Sequence, residues 1–254
     1  MRVLLCNDDG IFAPGLLAMH NALAEEAEVQ VVAPETVQSG GSHAITIRHP
    51  VVWRTVQVGD RFRGTSVVGT PADCVKLALN GLMQERPDVV ISGINAGLNT
   101  GIHILYSGTV AAAIEAAIFG YPAIAVSFEL HRDMDYDAAA RIAWRVIDRI
   151  LQNGSLPGRV FNINIPEIKP GWPKGVRVLE QSTKAMVERF EKRSDPNGRE
   201  YYWINGDFKD IGDESDTDRQ ALGEGYVCVT PLQFNLTDRS LLEQTQAWSW
   251  PDLT

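Results

Sequence analysis

The chain has 254 residues, enough for one large domain or one domain with an appendage, and its 44% hydrophobic and 22% charged content suits a globular protein with a full core. Thirty-two acidic against 23 basic residues give a net charge of −9, which argues against a nucleic-acid polymer as partner but leaves room for a small phosphorylated substrate. No apolar run reaches the ~18 residues of a membrane span, no charged-then-apolar leader stands out, and three scattered cysteines form no CxxC pair, so a cytoplasmic protein with buried free thiols at Cys6 and Cys228 and no membrane contact is expected.

In chain order, residues 2–6 read as a short buried strand, and Pro14-Gly15 opens a helix through about Glu25. Residues 28–33 form the next strand, closed by Pro34 and followed by a polar loop from Glu35 to Ser42. Residues 44–57 and 61–69 alternate enough to predict β structure crossing outside the main sheet. Pro71 begins a helix to about Met83, with Val75, Ala78, Leu79 and Leu82 on one face. Strands at 88–92, 123–127 and 160–165 then alternate with an Ala-rich helix, Gly108 to Phe119, and an amphipathic helix, Tyr136 to Leu151. This βα alternation predicts an α/β fold with a Rossmann-like, mostly parallel, doubly wound sheet.

Near Pro166 the periodicity changes. Residues 176–181, 186–190, 200–205 and 226–230 read as strands without long helices between them, separated by polar stretches at 191–199 and 207–224. A final helix is expected at about 238–248. The chain thus divides into a metal- and phosphate-binding core at 1–166 and a β-rich hairpin and helix region at 167–254. Exposed hairpins that cannot bury themselves often pair with another subunit, so an oligomer is expected.

Chemistry concentrates in four loops. The first strand ends in Asn7-Asp8-Asp9-Gly10, placing two adjacent carboxylates at the end of the sheet that usually carries ligands. Uncompensated burial of that pair costs several kcal/mol in order of magnitude. A divalent cation with a preference for oxygen ligands, Mg²⁺ or Mn²⁺, removes the cost. The alternative is a solvated Asp-Gly turn.

The second loop, Gln38 to His43, offers the hydroxyls of Ser39 and Ser42 and the glycines Gly40 and Gly41, where backbone can approach an anion. The third, Ser92 to Gly101, is rich in glycine and side-chain amides and includes Asn95. The fourth, Tyr106-Ser107-Gly108-Thr109, opens the Ala-rich helix. Unpaired N–H groups and a partial positive charge there suit a phosphate. Taken alone, Ser107 also reads as a simple N-cap, and Ser39 and Asn95 as turn residues.

GxxxxGK[ST], GxGxxG after the first strand, GxSxG and HExxH are all missing from the sequence. The ordered series NDDG with APG, SGGS, GTPADC (69–74), SGINAGLNTG (92–101) and YSGTVAAA (106–113) closely resembles the SurE family, survival-protein phosphatases that act as 5′/3′-nucleotidases. The resemblance extends through Asn164-Ile165-Pro166 and Glu224-Gly225-Tyr226. It implies one divalent cation per subunit, Mg²⁺ or Mn²⁺, held by Asp8, Asp9, Ser39 and Asn95. It implies nucleoside monophosphates as substrates, with short polyphosphate also cut by some members. It further implies a C-terminal β region that exchanges contacts between subunits, giving a homodimer or homotetramer.

Two positions depart from the family pattern. His103 stands where an acidic residue is frequent, and His43 where an amide is common. His103 then becomes a candidate contact for phosphate or base, and both departures bear on substrate preference and pH optimum rather than on reaction class.

The expected chemistry is metal-assisted hydrolysis of a phosphomonoester by direct in-line attack of water. Asp8 and Asp9 are the catalytic candidates, Asp9 the better one for orienting or deprotonating water. Asn95, Ser107, Gly108 and Thr109 are placed to bind the phosphoryl oxygens. Among aromatic residues Phe12, Trp53, Tyr106 and Trp203, Tyr106 is the best candidate to stack on a base, because it adjoins the phosphate loop. A non-catalytic nucleotide-sensing module using the same pocket is the alternative. A sugar-nucleotide transferase wants a second Rossmann half, which residues 166–254 do not resemble.

Overall fold

The structure, a computed structural model, describes residues 1–154, 156–184, 188–206 and 215–253. Alternation of the buried residues in β1 (Arg2–Cys6) sets the layering. Val3 and Leu5 point to one side of the sheet and Leu4 and Cys6 to the other, and all four are fully buried. On the first side α1 (Pro14–Ala24) and α4 (Tyr136–Leu151) cover the sheet, burying Leu16, Met19, Ala143 and Ile147. On the second, α2 (Pro71–Leu77) and α3 (Gly108–Ile118) bury Cys74, Val75, Val110 and Ala113. A sheet buried on both faces is what the near-continuous apolar strands require.

β2 (Glu28–Pro34), β1, β5 (Val89–Ala96), β6 (Ala123–Phe128) and β7 (Val160–Ile165) lie side by side and parallel. From β1 the chain moves to β2 on one side and returns to β5 on the other. The switch point therefore falls between β1 and β5, where ligands bind in open α/β sheets.

Several boundaries differ from the sequence reading. Residues 44–51 are not strand; β3 (Val52–Val58) and β4 (Phe62–Val68) form a hairpin. That hairpin joins the main sheet instead of crossing outside it, because β4 pairs parallel with β2. The α2 segment ends in a wider π turn at Ala78–Leu82.

β5 runs on to Ala96, so Asn95 sits on a strand and not in a loop. Its pairing with β6 shifts register between Ser92 and Asn95, an irregularity that alternation of side chains alone does not reveal. The sheet also continues past Pro166. β11 (Val227–Leu232) pairs antiparallel with β7, and β8 (Val176–Val178) pairs with β11 to end a nine-stranded sheet.

The polar stretch at 191–199 is not a separate loop. It is the rest of β9 (Glu188–Ser194) and the turn into β10 (Glu200–Gly206), a hairpin that forms its own two-stranded sheet. Residues 186–187 of the expected strand and 207–214 of the second polar stretch lie outside the described residues. The described remainder of that stretch includes α5 (Asp218–Gly223). The last helix, α6 (Arg239–Gln246), starts on an Asp238 cap and buries none of its residues.

One core feature carries a pH dependence. His20 of α1 is buried, stacks on Phe62 with ring centroids 4.1 Å apart, and its Nδ1 has no hydrogen-bond partner among the described residues. Burial lowers its pKa below 6.5, with Asn21 partly opposing. The unfolded chain then binds more protons below pH 6.5, so the stability tied to neutral His20 is complete above that pH and lost as pH falls. His20→Phe is expected to lose less melting temperature than the parent between pH 7 and pH 5. Parallel losses in the two proteins would contradict this.

Candidate active site at the switch point

The site begins with Asn7, whose side chain closes the turn after β1. Its Nδ2 donates to the Gly10 carbonyl at 2.9 Å, and the Gly10 N–H donates back to Oδ1 at 3.2 Å. This Asx turn holds Asp8 and Asp9 at the carboxyl end of the sheet.

Asp8 is 4% exposed, and its Oδ1 accepts the Thr109 hydroxyl at 2.5 Å. A Cβ on Gly108 would lie 2.9 Å from Asp8 Cβ and 3.1 Å from its Oδ2, so only glycine lets α3 start this close. Asp9 Oδ2 accepts the Ala96 N–H at 2.9 Å, tying the second carboxylate to the end of β5. The backbone carbonyl of Asp8 accepts the Gln38 N–H at 2.8 Å, which brings in the loop after β2. Four segments far apart in sequence thus meet at one aspartate pair.

Hydrogen bonds compensate the pair only in part. Burial pushes the Asp8 carboxyl up to about 6, opposed by the Thr109 hydroxyl and reinforced by the charge of Asp9. Burial raises Asp9 as well, against its bond from Ala96. Among the described residues no Lys, Arg or His forms an ion pair with either carboxylate. Nor does any group of three or more His, Cys, Asp or Glu among them offer another place for a metal.

Asn95 is half-buried and directly precedes Ala96, whose N–H holds Asp9. Its Nδ2 donates to the Gly97 carbonyl at 2.8 Å, which fixes the amide and leaves Oδ1 as its acceptor atom. Ser107 caps α3 by accepting the Val110 N–H at 3.1 Å, so its hydroxyl proton stays available as a donor. The N–H groups of Gly108 and Thr109 belong to the first turn and have no intrahelical acceptor. The Thr109 hydroxyl is spent on Asp8, so Thr109 can offer an anion its backbone N–H but not that hydroxyl.

Ser39 and Gly40 are exposed, at the tip of a loop whose far side is fastened to the segment that leads into α3. Ser42 donates its N–H to Tyr106 O at 3.0 Å and its hydroxyl to Leu105 O at 2.7 Å. His43 reaches the α3 carboxylate of Glu115, Nε2 to Oε2 at 2.7 Å. Tyr106 is exposed and His103 half-buried on one short 3₁₀ turn, Gly101–Tyr106, their rings edge to face at 6.3 Å. Trp53 lies on the edge strand β3 and Trp203 on the separate hairpin, outside these four segments.

Several supporting residues have no site role assigned to them in the sequence. Asn99 donates its N–H to Asn164 Oδ1 and its side chain to Ser127, both at 2.8 Å, while Asn162 donates to the Asn99 carbonyl at 2.8 Å. This buried network fixes the chain leaving β5. Asp218, fully buried in α5, accepts the Gly101 N–H at 2.8 Å and the Ser182 N–H at 3.0 Å, joining the C-terminal region to the segment that leads into Ser107. The polar alternation Asn162-Ile163-Asn164 on an apolar strand was the available signal.

A family model described as "Survival protein SurE" matches residues 3–188. The chain belongs to the SurE family. It is 46% identical over 250 residues to a "5′-nucleotidase SurE" of Rhodopirellula baltica, covering 98% of this chain and 99% of the relative. A protein of the same description from Syntrophobacter fumaroxidans is 41% identical over 249 residues, covering 98% and 100%. The crystal structure of the SurE protein from Aquifex aeolicus superposes with a TM-score of 0.84 at 37% identity, covering 97% of this chain and 98% of that one. The SurE family match and this neighbour agree with the α/β fold described above.

Proposed function

We propose that this SurE-family chain is a metal-dependent 5′-nucleotidase that hydrolyses nucleoside monophosphates to nucleoside and phosphate. The observation that carries the reading is the adjacent pair of buried Asp8 and half-buried Asp9, with no cationic partner among the described residues, set against the N-terminus of α3. A hard divalent cation fits this oxygen-only donor set: Asp8 and Asp9 carboxylates, Asn95 Oδ1 and the Ser39 hydroxyl. When bound, Mg²⁺ or Mn²⁺ supplies charge that neutralises the carboxylates, polarises a phosphoryl oxygen and lowers the pKa of water.

The chain's own groups do the rest. The N–H groups of Gly108 and Thr109 and the Ser107 hydroxyl bind phosphoryl oxygens, with Gly40 and Gly41 offering backbone on the facing loop. These donors gain strength as charge develops in the transition state. Asp9, held at Oδ2 by Ala96, keeps its other oxygen to orient a water for in-line attack and to take its proton. The water oxygen bonds phosphorus, the ester oxygen leaves and is protonated from solvent. Tyr106, exposed beside Ser107, is placed to stack on the base, with His103 beside it.

The working form is read as a homodimer or homotetramer. Supporting this, the β9–β10 hairpin exposes Phe190, Tyr202, Trp203 and Ile204, and α6 has no buried face. A strictly monomeric species in sedimentation at micromolar concentration contradicts it. Among the described residues no helix is long and apolar enough to cross a membrane. Cys6, Cys74 and Cys228 are buried free thiols, which suits the cytoplasmic location assigned here.

The test is phosphate release from AMP by EDTA-stripped protein, with and without Mn²⁺ or Mg²⁺. Release restored by metal is expected. AMP binding without release under any metal returns the protein to the nucleotide-sensing class.

A further inference from the structure

Residues 35–51, which carry Ser39, contain no regular structure, and a Cβ on Gly40 would meet nothing within 4 Å. The tip of this loop therefore takes its position from its anchors and not from packing. On one side the anchor is the Gln38 N–H on the Asp8 carbonyl. On the other are Ser42 on Leu105 and Tyr106, and His43 on Glu115. Farther along, Thr46 N–H donates to Asp73 Oδ1 at 2.9 Å, and Thr70 Oγ1 donates to Ala44 O at 2.8 Å.

His43, like Thr46, binds a carboxylate, but its partner lies on α3, whereas Asp73 lies on α2. Glu115 lies in α3 only 4% exposed, with Oε2 2.7 Å from His43 Nε2 and Oε1 2.8 Å from Lys76 Nζ. At 2.7 Å this contact is as short as the Ser42 hydroxyl bond to Leu105 O, and it is made side chain to side chain onto a buried residue. It also joins the Ser39 loop to α3, the helix whose first turn is proposed above to bind phosphate. Glu115 sits eight positions after Ser107, so the helix that presents the N–H groups also holds the loop opposite them.

Resting on the cation site proposed above, we infer that Glu115 is a positioning residue that acts through His43 to hold Ser39 and the Gly40–Gly41 turn against Asp8 and Asp9. Lys76 remains on Glu115 when His43 is replaced, so the buried carboxylate stays compensated and the fold survives the substitution. The Lys76 contact, in contrast, reaches α2 and touches nothing in the loop.

The experiment is Mn²⁺ binding by titration calorimetry on the full chain, with melting temperature measured alongside. His43→Phe, which keeps a ring but removes the donor, is expected to weaken Mn²⁺ binding by about 10-fold or more, the usual scale for a partner that orients a ligand. His43→Gln keeps a donor and is expected to bind within about threefold of the parent. Lys76→Met takes away the other partner of Glu115, so it is expected to lower the melting temperature yet leave Mn²⁺ binding unchanged. Parent-like binding by His43→Phe overturns the inference, as does equal weakening by Lys76→Met. A parent protein that takes up no Mn²⁺ removes the cation reading itself, and this inference with it.

Discussion

Exchange of Asp9 for asparagine is expected to cut metal-stimulated phosphate release from AMP by at least ~10²-fold, the scale seen when one preorganised transition-state contact is removed. The substitution keeps an acceptor for the Ala96 N–H, which now sits on Asp9 Oδ2, so β5 need not move. What it loses is a charge for the cation and a base for the water. Asp8→Asn is expected to be as inactive, with an opposite mark on stability. Asp8 is buried, without a cationic partner, and burial has already pushed its carboxyl up to about 6. Removing that charge is expected to raise the melting temperature of metal-free protein by ~2–8 °C, as for a gain of about 1–2 kcal/mol. Loss of activity together with loss of fold in both variants would assign the pair a structural role. Full activity in Asp9→Asn would remove it from the chemistry.

The second large effect is expected far from any reacting atom. An alanine Cβ at position 15 would lie 2.0 Å from the Ile94 carbonyl oxygen and 3.1 Å from Cε1 of Tyr136. The first neighbour is backbone of β5, which cannot swing aside as a flexible side chain does. Helix α1 must then back away from β5, opening a core that includes Leu16, Met19, Ile91 and Ile94. Overpacking of this severity is expected to cost ~3 kcal/mol or more. For a chain of this size that is a fall of about 6–12 °C in melting temperature. Activity is expected to fall too, because the same stretch of β5 carries Asn95 and the Ala96 N–H that holds Asp9. Gly15→Ala with the parent's melting temperature and turnover would show that the α1–β5 contact is looser than its geometry.

These two predictions differ in how legible they were. Asp9 was visible at once, because adjacent carboxylates after an apolar strand are costly without a partner. Gly15 reads in the sequence as part of a helix start, and nothing in a linear string says that a strand 79 residues later presses its carbonyl against that position. Thr109 falls between. Its place in the first turn of α3 was legible from Ser107 and the alanine run, but the direction of its hydroxyl, onto Asp8 and away from a phosphate, depends on how closely α3 meets β1. The sequence alone puts Asn95 in a loop, and only the family resemblance implies it as a ligand. The register shift against β6 that makes it the end of a strand is a property of the pair of strands and not of either one.

What the sequence determined by itself was local. Apolar runs bounded by Gly and Pro, an Ala-rich helix behind a Ser cap, and two carboxylates at a strand end follow from periodicity, capping and charge within a few residues. Only the tertiary structure decided which of those pieces meet. It placed β3 and β4 in the main sheet and carried that sheet past Pro166 through β11. It also brought Gln38, Ala96 and Thr109 onto one aspartate pair, and Glu115 onto the loop across from it. The reason is physical: a side chain's hydrogen-bond partner is chosen by distance in space, and strand order and helix approach set that distance without leaving a periodic trace in the chain.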